Sequence, residues 1–457
     1  MEPTQVHCLL RRFGWNSTSF QVLGDGFNYW PELATSGEAC IAYVDIGGFY
    51  VVAGPPIAER VDWPVLVQSF VTYANQLKRR VCFFGVEKEF VDETGLTALC
   101  IGEQAVWDPS RWQVQPHGRR SFTQQLRRAR NHQVQIRAVA AAEAADPGGL
   151  LRAPIEALCK RWLATRPMAP LVFLVQVAPF TWASHRLYFL AEVDGRIVGC
   201  LVAVPVYARN GWLFETLLRD PGAANGTMEL LVDAAMQAIA ARGSRYATLG
   251  MTPLSGPVLP WLRAARWAGR GLYDFRGLYA FKAKMKPSAW HPIYLALPNG
   301  QSSSLALLAV LRAFVGGSLV AFAGRSLLRG SKFVLRLLAA ALIPWTLCLA
   351  LLRTDTWFPA PSIHAFWIIF DVLLCAGLFA LSRRWHDGLA TLLAGLVTAD
   401  TCLTGLQVVL YPVPAGWVGA LGRAVAVAAP ALAATVLWGA RRRQRVALGT
   451  RIRPSSV

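Results

Sequence analysis

The first part of the chain alternates between segments with strand periodicity and segments with helix periodicity. Residues 41–54, IAYVDIGGFYVVAG, predict a β-hairpin that turns at Gly47 and Gly48. Residues 63–80 repeat apolar positions at helical spacing and end on basic residues, which predicts a helix. Residues 81–86, VCFFGV, form a short apolar run that is typical of a buried strand.

The same order of elements returns later in the chain. Residues 187–207 predict a second hairpin, which turns at Asp194 and Gly195. Residues 226–243 predict a helix, and residues 246–250 predict another short strand. The repeated order indicates a duplication of one α/β arrangement.

We therefore expect two similar halves, residues 1–150 and residues 151–300. The segment AADPGG (144–149) is rich in residues that interrupt regular structure and marks the boundary between them.

The pattern changes after residue 300, where long apolar runs replace the alternation. Residues 331–457 contain four runs of membrane-spanning length, namely 332–352, 363–381, 388–410 and 416–440. Residues 301–330 are expected to form an amphipathic, interfacial connector. Arg312 interrupts the apolar run 304–323, which favours a helix lying on the membrane surface over a fifth span.

Basic residues predict the topology of these spans. They precede the first span, join the second to the third and follow the fourth, whereas the other two connections carry little charge. The positive-inside rule then puts both chain ends in the cytoplasm, as an even number of spans requires. The expected location is the inner (cytoplasmic) membrane, with several spans and a cytoplasmic N-terminal region.

The composition is strongly basic, and its cysteine pattern does not predict a metal site or a disulfide framework. The 457 residues carry a formal charge of +19, and the mean hydropathy is +0.35. The nine cysteines are scattered without a CxxC or Cys/His cluster, so neither a metal site nor a disulfide framework is predicted. No cofactor is predicted, and the N-terminus lacks the apolar region of a signal peptide.

Residues 107–137 form an arginine-rich stretch with interspersed tryptophan, phenylalanine and histidine. Basic and aromatic residues in this mixture are typical of a surface that binds nucleic acid. A solvated helix face or a face on anionic lipid headgroups would give the same pattern. The candidate RNA-binding residues are Arg119, Arg120, Arg127, Arg128 and Arg130.

Residues 213–232, LFETLLRDPGAANGTMELLV, read as a strand, a turn and a helix with charges gathered at the turn. The charged and polar residues of this corner are Glu215, Arg219, Asp220, Asn225 and Glu229. Local ion pairs, an ordinary Asn-Gly turn and an acid favoured by the helix dipole would also explain them.

Four segments in one order resemble a known family. They are TALCIGEQAVWDP (97–109), WLFETLLRDPGAANGTMELL (212–231), LGMTPLSG (249–256) and GLYAFKAKMKPSAW (277–290). Together they are similar to the catalytic domain of the multiple peptide resistance factors, the aminoacyl-phosphatidylglycerol synthases. The resemblance covers residues 15–297. It implies an α/β fold of two tandem acetyltransferase-like (GNAT-like) domains, here followed by a helical membrane region.

The resemblance implies a transferase that moves an amino acid from aminoacyl-tRNA to a lipid hydroxyl. Its partners would be aminoacyl-tRNA, an anionic phospholipid such as phosphatidylglycerol, and the bilayer; no oligomeric state is predicted. The product would make the membrane more cationic. Family members carry a large N-terminal membrane domain that flips the lipid, so the resemblance does not imply flipping for the C-terminal membrane region here.

The resemblance also assigns candidate residues to the reaction, all in the second half. Those expected at the reacting groups are Glu229, Arg219, Glu215 and Thr216, where Thr216 occupies the position of a family aspartate. Those expected to bind substrate are Asn225, Gly226, Lys282, Lys284 and Trp290. Lys282 and Lys284 alternate on what looks like a strand, which would put them on one face.

Two other functions fit the same fold. One is an acyl-CoA-dependent N-acyltransferase acting on a lipid or envelope amine, although no Q/R-x-x-G-x-G/A loop for the CoA pyrophosphate opens a helix here. The other is a non-catalytic membrane protein that binds lipid or RNA, which the threonine at position 216 favours.

Overall fold

The computed structural model describes residues 1–112, 120–166, 168–271, 273–327, 332–351, 361–410 and 417–448. The chain forms two compact units. The first, which we call the sheet unit, contains residues 1–163 and 170–319. The second, the helical unit, contains residues 164–169 and 320–457.

The strands all belong to the sheet unit. Their bounds are β1 Asn28–Ala34, β2 Gly37–Ile46, β3 Phe49–Ala53, β4 Arg80–Val86, β5 Thr97–Trp107, β6 Gln135–Val139, β7 Leu187–Val193, β8 Arg196–Val206, β9 Gly211–Arg219, β10 Tyr246–Pro253 and β11 Ala289–Leu297.

The helices are distributed over both units. Their bounds are α1 Pro3–Phe13, α2 Trp63–Gln76, α3 Lys88–Thr94, α4 Arg120–Asn131, α5 Ala141–Ala145, α6 Arg152–Ala164, α7 Thr227–Ala241, α8 Pro260–Ala268, α9 Phe275–Lys284, α10 Ser303–Val315, α11 Leu319–Leu327, α12 Lys332–Leu351, α13 Pro361–Arg383, α14 Asp387–Leu410 and α15 Trp417–Leu448.

The strands form one sheet in the order β1-β2-β3-β4-β11-β5-β10-β9-β8-β7-β6. Strands β3 and β4 run parallel, as do β9 and β10, and each parallel pair is joined by one helix, α2 or α7. Strand β5 pairs with β10 of the second half, while β11 pairs with β4 of the first half. The two halves therefore exchange their last strands, and β5 and β11 pair in the middle.

The predicted hairpins, helices and short strands are present at both places, but strand β9 stands between the second hairpin and helix α7, so the two orders differ. The first hairpin turns at Gly47 and Gly48, and the second turns at Asp194 and Gly195, all four with positive φ. Two consecutive residues with positive φ suit the right-handed twist of the flanking strands. The fold class, an α/β unit followed by a helical region, is confirmed as well.

The two faces of the sheet carry different helices. On β5, Ala105 and Trp107 pack in the apolar core that contains α4 and α7. Val106, between them, packs in the core that contains α8 and α10. Because consecutive strand residues point to opposite faces, α4 and α7 lie on one face and α8 and α10 on the other. We call these the α7 face and the α10 face.

Helix α10 belongs to the sheet unit. Four of its five buried residues, Ala306, Ala309, Val310 and Ala313, join the core beneath strands β2, β3, β4 and β11. Leu305, Leu308 and Leu311 on its other side are between 43% and 48% exposed. The helix thus has two apolar sides, one packed on the sheet and one open.

Strand β6 precedes residue 150 in the chain but pairs with β7 at the edge of the second half. The predicted boundaries at residues 150, 300 and 330 stay predictions.

The prediction of a strand around Lys282 and Lys284 is wrong. These residues lie in helix α9, which begins where the Asp274 side chain accepts a hydrogen bond from the Gly277 amide at 2.8 Å. An N-terminal cap of this kind favours a helix start. Strand β11 begins only at Ala289, two residues after Pro287.

Within its described residues, the helical unit contains three helices that are long and apolar enough to cross a membrane. They cover Val334–Leu351, Pro361–Arg383 and Asp387–Leu406, and they coincide with three of the four predicted spans. The fourth predicted span, 416–440, overlaps α15, and its membrane crossing stays a prediction.

Candidate active site

The charged corner lies where β9 ends and α7 begins. Arg219, the last residue of β9, donates from Nη1 to the Asn225 Oδ1 at 2.7 Å. The predicted turn is therefore closed by a contact between two of the candidate residues. Asn225 is exposed, so this contact lies at the surface.

Gly226 is fixed by the close approach of another helix. It has φ +99, and a Cβ atom there would lie 2.0 Å from the Gln125 carbonyl oxygen of α4. A side chain would thus have both a strained backbone and a clash with main-chain atoms. The contact holds the arginine-rich helix against the N-terminus of α7.

The acids of the corner pair with arginines from other segments. Glu215 forms an ion pair with Arg186, and both side chains are nearly buried. Asp220 is 4% exposed and accepts from the Arg161 Nε at 2.7 Å. Among the described residues, Arg219 forms an ion pair with neither acid, so the alternative of a local ion pair for Arg219 is wrong.

Glu215 and Thr216 differ in their surroundings. The register of β8 and β9 pairs Val202 with Thr216 and Ala203 with Phe214, which leaves Glu215 as the extra residue of a β-bulge. Thr216 is 4% exposed. Its hydroxyl therefore lies in the interior of the sheet unit, whereas the Glu215 carboxylate meets Arg186.

Glu229 and Lys284 meet across two helices. Lys284 Nζ, at the end of α9, donates to the Glu229 Oε1 in the first turn of α7. The Glu229 side chain is 8% exposed and that of Lys284 is 22% exposed. The Coulomb attraction between two opposite charges is stronger in partly desolvated surroundings than at an open surface. Sequence reasoning named both residues, but not their pairing.

The ion pair borders a surface groove with a volume of about 530 Å³. The groove lies between α4 and α9, and its lining residues are Ser121, Gly277, Ala280, Phe281, Ala283, Lys284 and Lys286. Only Lys284 among them was a candidate from the sequence. Gly277, Ala280, Phe281 and Ala283 belong to helix α9, where spacings of three and four residues share one face. Ser121 comes from α4, and Lys286 follows the end of α9.

Lys282 lies in the same turn of α9 as the groove-lining residues Phe281 and Ala283, but its side chain is buried. It is 2% exposed and donates to the carbonyl oxygens of Gly250 at 2.7 Å and Met251 at 3.1 Å. Burial lowers the pKa of Lys282 from 10.5 to about 7, because a low-dielectric interior disfavours the ammonium. Lys282 thus ties α9 to the irregular part of β10 and does not share a face with Lys284.

Trp290 lies on strand β11 and contacts helix α9. Its ring stacks on Tyr279 of α9, with ring centroids 4.8 Å apart. The stacking of a strand residue on α9 supports the orientation of the helix that carries Lys284.

The arginine-rich helix exposes part of its charge. Arg127 and Arg128 are exposed, and neither has an acidic partner within the described parts of the chain. Arg130 lies 3.8 Å from an Asp233 carboxylate oxygen. The apolar side of α4, formed by Phe122, Leu126 and Ala129, packs in the core of the α7 face. Arg119 and the side chain of Arg120 lie outside the described residues.

No group of three or more His, Cys, Asp and Glu side chains that could hold a metal ion occurs in the ranges that the structure describes.

The sheet unit has the fold of two solved domains. The C-terminal domain of a protein described as a lysylphosphatidylglycerol synthetase from Agrobacterium fabrum aligns with a TM-score of 0.59 and 22% identity, over 70% of this chain and 99% of that one. A second domain, L-PGS from Bacillus licheniformis, aligns with a TM-score of 0.57 and 20% identity, over 69% of this chain and 98% of the other. The arrangement of strands and helices is shared with this class of domain.

The sequence matches the family model of the phosphatidylglycerol lysyltransferase C-terminal domain over residues 9–297. The chain belongs to this family, which confirms the resemblance inferred from the four segments.

Curated relatives carry related names. A phosphatidylglycerol lysyltransferase of Bacillus subtilis (strain 168) is 25% identical over 325 residues, which cover 68% of this chain and 37% of the relative. The lysylphosphatidylglycerol biosynthesis bifunctional protein LysX of Nocardia farcinica is 26% identical over 206 residues, which cover 44% of this chain and 18% of the relative. The chain thus spans well under half the length of these relatives.

Proposed function

We propose that this protein transfers an aminoacyl group from aminoacyl-tRNA to a hydroxyl of phosphatidylglycerol or a similar anionic phospholipid. The observation that carries the proposal is the Glu229–Lys284 ion pair beside a groove between α9 and the arginine-rich helix α4. Membership of the lysyltransferase family supports it. Because the relatives are named for lysine, lysine is the first amino acid to test.

The reaction depends more on holding the two substrates in position than on activating either of them. The lipid hydroxyl oxygen attacks the ester carbonyl carbon of the aminoacyl-tRNA, a new C–O bond forms, and the ribose oxygen leaves with the proton that the lipid hydroxyl loses. The ester is already reactive, so holding the two substrates together supplies much of the acceleration. The negative charge on the former carbonyl oxygen is the feature that a fixed cation stabilises.

Lys284 is the cation that we assign to this oxygen. Its ammonium lines the groove, and the Glu229 carboxylate fixes its position. Glu229 also lies in the first turn of α7, where its charge is favoured by the helix dipole. The same carboxylate offers a site for the α-ammonium of the transferred amino acid.

Arg219 is the residue that we assign to a phosphate. Its contact with Asn225 uses one guanidinium nitrogen and leaves the others able to bind phosphate oxygens in a bidentate way. The exposed Arg127 and Arg128 on α4 would extend this basic surface along the RNA. The proposed location is a membrane, with the sheet unit on the cytoplasmic side, where charged tRNA is found.

The proposal is tested by a transfer assay with the full chain in phosphatidylglycerol vesicles. Total tRNA charged with one labelled amino acid at a time is added, and label in the organic phase is counted, with and without ribonuclease. We expect lipid-linked label that ribonuclease abolishes. Replacing Lys284 with Met should lower the rate by about 100-fold or more, the usual effect of losing one oxyanion-stabilising group.

The matched control is another lysine–carboxylate pair. Lys88 and Asp92 on α3 lie 2.5 Å apart and are 65% and 57% exposed. Lys88→Met should leave the rate unchanged. The proposal is contradicted if the folded protein transfers label from none of the charged tRNAs to any of the lipids supplied. If such a protein still bound tRNA or lipid, the non-catalytic function would replace it.

A further inference from the structure

The α10 face of the sheet unit exposes large apolar side chains on two separate helices. On α8 and the residue before it, Leu259 is 48% exposed, Trp261 is 45% exposed and Trp267 is 62% exposed. The three leucines of α10 are exposed to a similar degree. The two helices share one core, since Leu262 of α8 packs in the same cluster as α10. Water-exposed apolar side chains gathered on one face indicate an interaction surface.

The charge of the same segments is of one sign. Residues 254–271 and residues 298–327 contain no aspartate or glutamate. Their basic residues are Arg263, Arg266, Arg270, Arg312 and Arg325. A surface with this charge complements anionic lipid headgroups.

The arrangement of tryptophan and arginine fits the boundary between headgroups and acyl chains. The Arg270 guanidinium lies 4.7 Å from the centroid of the Trp267 ring, and both belong to the same exposed turn. Tryptophan is enriched at this depth of a bilayer because its ring is amphipathic. Arginine beside it can keep its charge among the headgroups while its stem lies along the ring.

In the sequence, the helices of the α10 face are followed by long apolar helices. Helix α10 ends at Val315, and residues 316–331 connect it to α12, the first helix long and apolar enough to cross a membrane. Exposed apolar side chains beside segments of purely positive charge match an anionic bilayer, so we commit to lipid as the occupant.

We propose that the α10 face docks on an anionic bilayer, with Trp261, Trp267 and the exposed leucines of α10 inserted at the headgroup–acyl boundary. The docking itself requires no reaction.

The test measures quenching of tryptophan fluorescence by brominated lipids. The full chain is placed in phosphatidylcholine vesicles with or without phosphatidylglycerol, whose acyl chains are brominated near the headgroup or left plain. The double variant Trp261→Phe with Trp267→Phe keeps the surface apolar but removes two of the 17 tryptophans. We expect it to lose bromine-dependent quenching relative to the wild type, with a larger loss when phosphatidylglycerol is present.

Trp63→Phe is the matched control, because Trp63 is 2% exposed and belongs to the core around α2 on the other face. This variant should become dimmer in plain and brominated vesicles alike. A second arm replaces Leu305 and Leu308 with Asp and should abolish the quenching that depends on Trp261 and Trp267. Leu33→Asp, at an exposed position of β1, should not.

Equal bromine-dependent quenching in the wild type and in the Trp261→Phe, Trp267→Phe variant, in both lipid mixtures, overturns the docking proposal. That result would mean that protein or water covers this face. The assay contains neither tRNA nor turnover. A protein that shows the quenching but transfers no amino acid would therefore retain the docking surface while refuting the transferase.

Discussion

Lys282 should make the stability of the sheet unit depend on pH. Its ammonium is almost fully buried and donates only to two backbone carbonyl oxygens among the described residues. The pKa falls from 10.5 to about 7 on folding. The unfolded chain therefore binds a proton more tightly than the folded one, and the free energy of unfolding should increase with pH between these two values.

The magnitude follows from the size of this shift. Where the unfolded lysine is protonated and the folded one is neutral, the slope is about 1.4 kcal/mol per pH unit. Between pH 7 and pH 9 the gain amounts to about 2 kcal/mol, because the folded group is still half protonated at the lower limit. Below about pH 6 both states are almost fully protonated and the slope approaches zero.

The assay is urea unfolding of the full chain in mild detergent, followed by tryptophan fluorescence at several pH values from 6 to 9. Lys282→Met keeps the length of the side chain and removes the titrating group. The difference in unfolding free energy between the wild type and this variant should change with the slope given above. Lys286→Met, at an exposed lysine of the same segment, supplies the control and should show no such slope.

A difference between wild type and Lys282→Met that stays constant from pH 6 to pH 9 would refute the reasoning. It would mean that the ammonium is solvated in the folded protein. A constant offset between the two proteins is compatible with the reasoning, because methionine leaves the two carbonyl oxygens without their donor.

Three further changes test how the corner and α4 are held. Gly226→Ala should lower the thermal midpoint by several degrees and displace α4, because its Cβ would meet a carbonyl oxygen of that helix at 2.0 Å; hydrogen exchange of α4 reports the displacement. Replacing Arg127 and Arg128 with Gln should weaken tRNA binding. The slope of log Kd against log salt concentration should fall by about 2, one for each lost phosphate contact, in filter-binding measurements at several salt concentrations. Arg161→Met should destabilise the sheet unit by about 3 kcal/mol in urea unfolding, because Asp220 would be left buried without its closest cation.

Local signals in the sequence predicted most elements of the fold. The hairpins at 47–48 and at 194–195 were predictable because consecutive glycine or aspartate residues favour positive φ where strands reverse. The exchange of β5 and β11 between the halves was not predictable. Both strands are apolar enough to pair with any buried neighbour, and the choice depends on contacts between residues far apart in the chain.

The error at α9 shows where short-range reasoning fails. Alternating Lys282 and Lys284 fit a strand as well as a helix over so short a segment. The features that favour a helix lie outside that segment. They are the cap at Asp274 and the burial of Met285 against the α7 face. Because the helix was missed, the pairing of Lys284 with Glu229 and the buried position of Lys282 were missed too.

The pairing pattern answers why so many charges gather between β9 and α7. Each acid of the corner is held by a cation from another segment, so the acids fix distant parts of the chain to the corner. The ion pairs are Glu215 with Arg186, Asp220 with Arg161 and Arg196, and Glu229 with Lys284. Arg219 adds a further positive charge, and its described contact is with the neutral Asn225. After internal pairing, the corner therefore keeps a surplus of positive charge. Both proposed substrates carry phosphates, and a surplus held in place by buried acids attracts them without a rearrangement of the site.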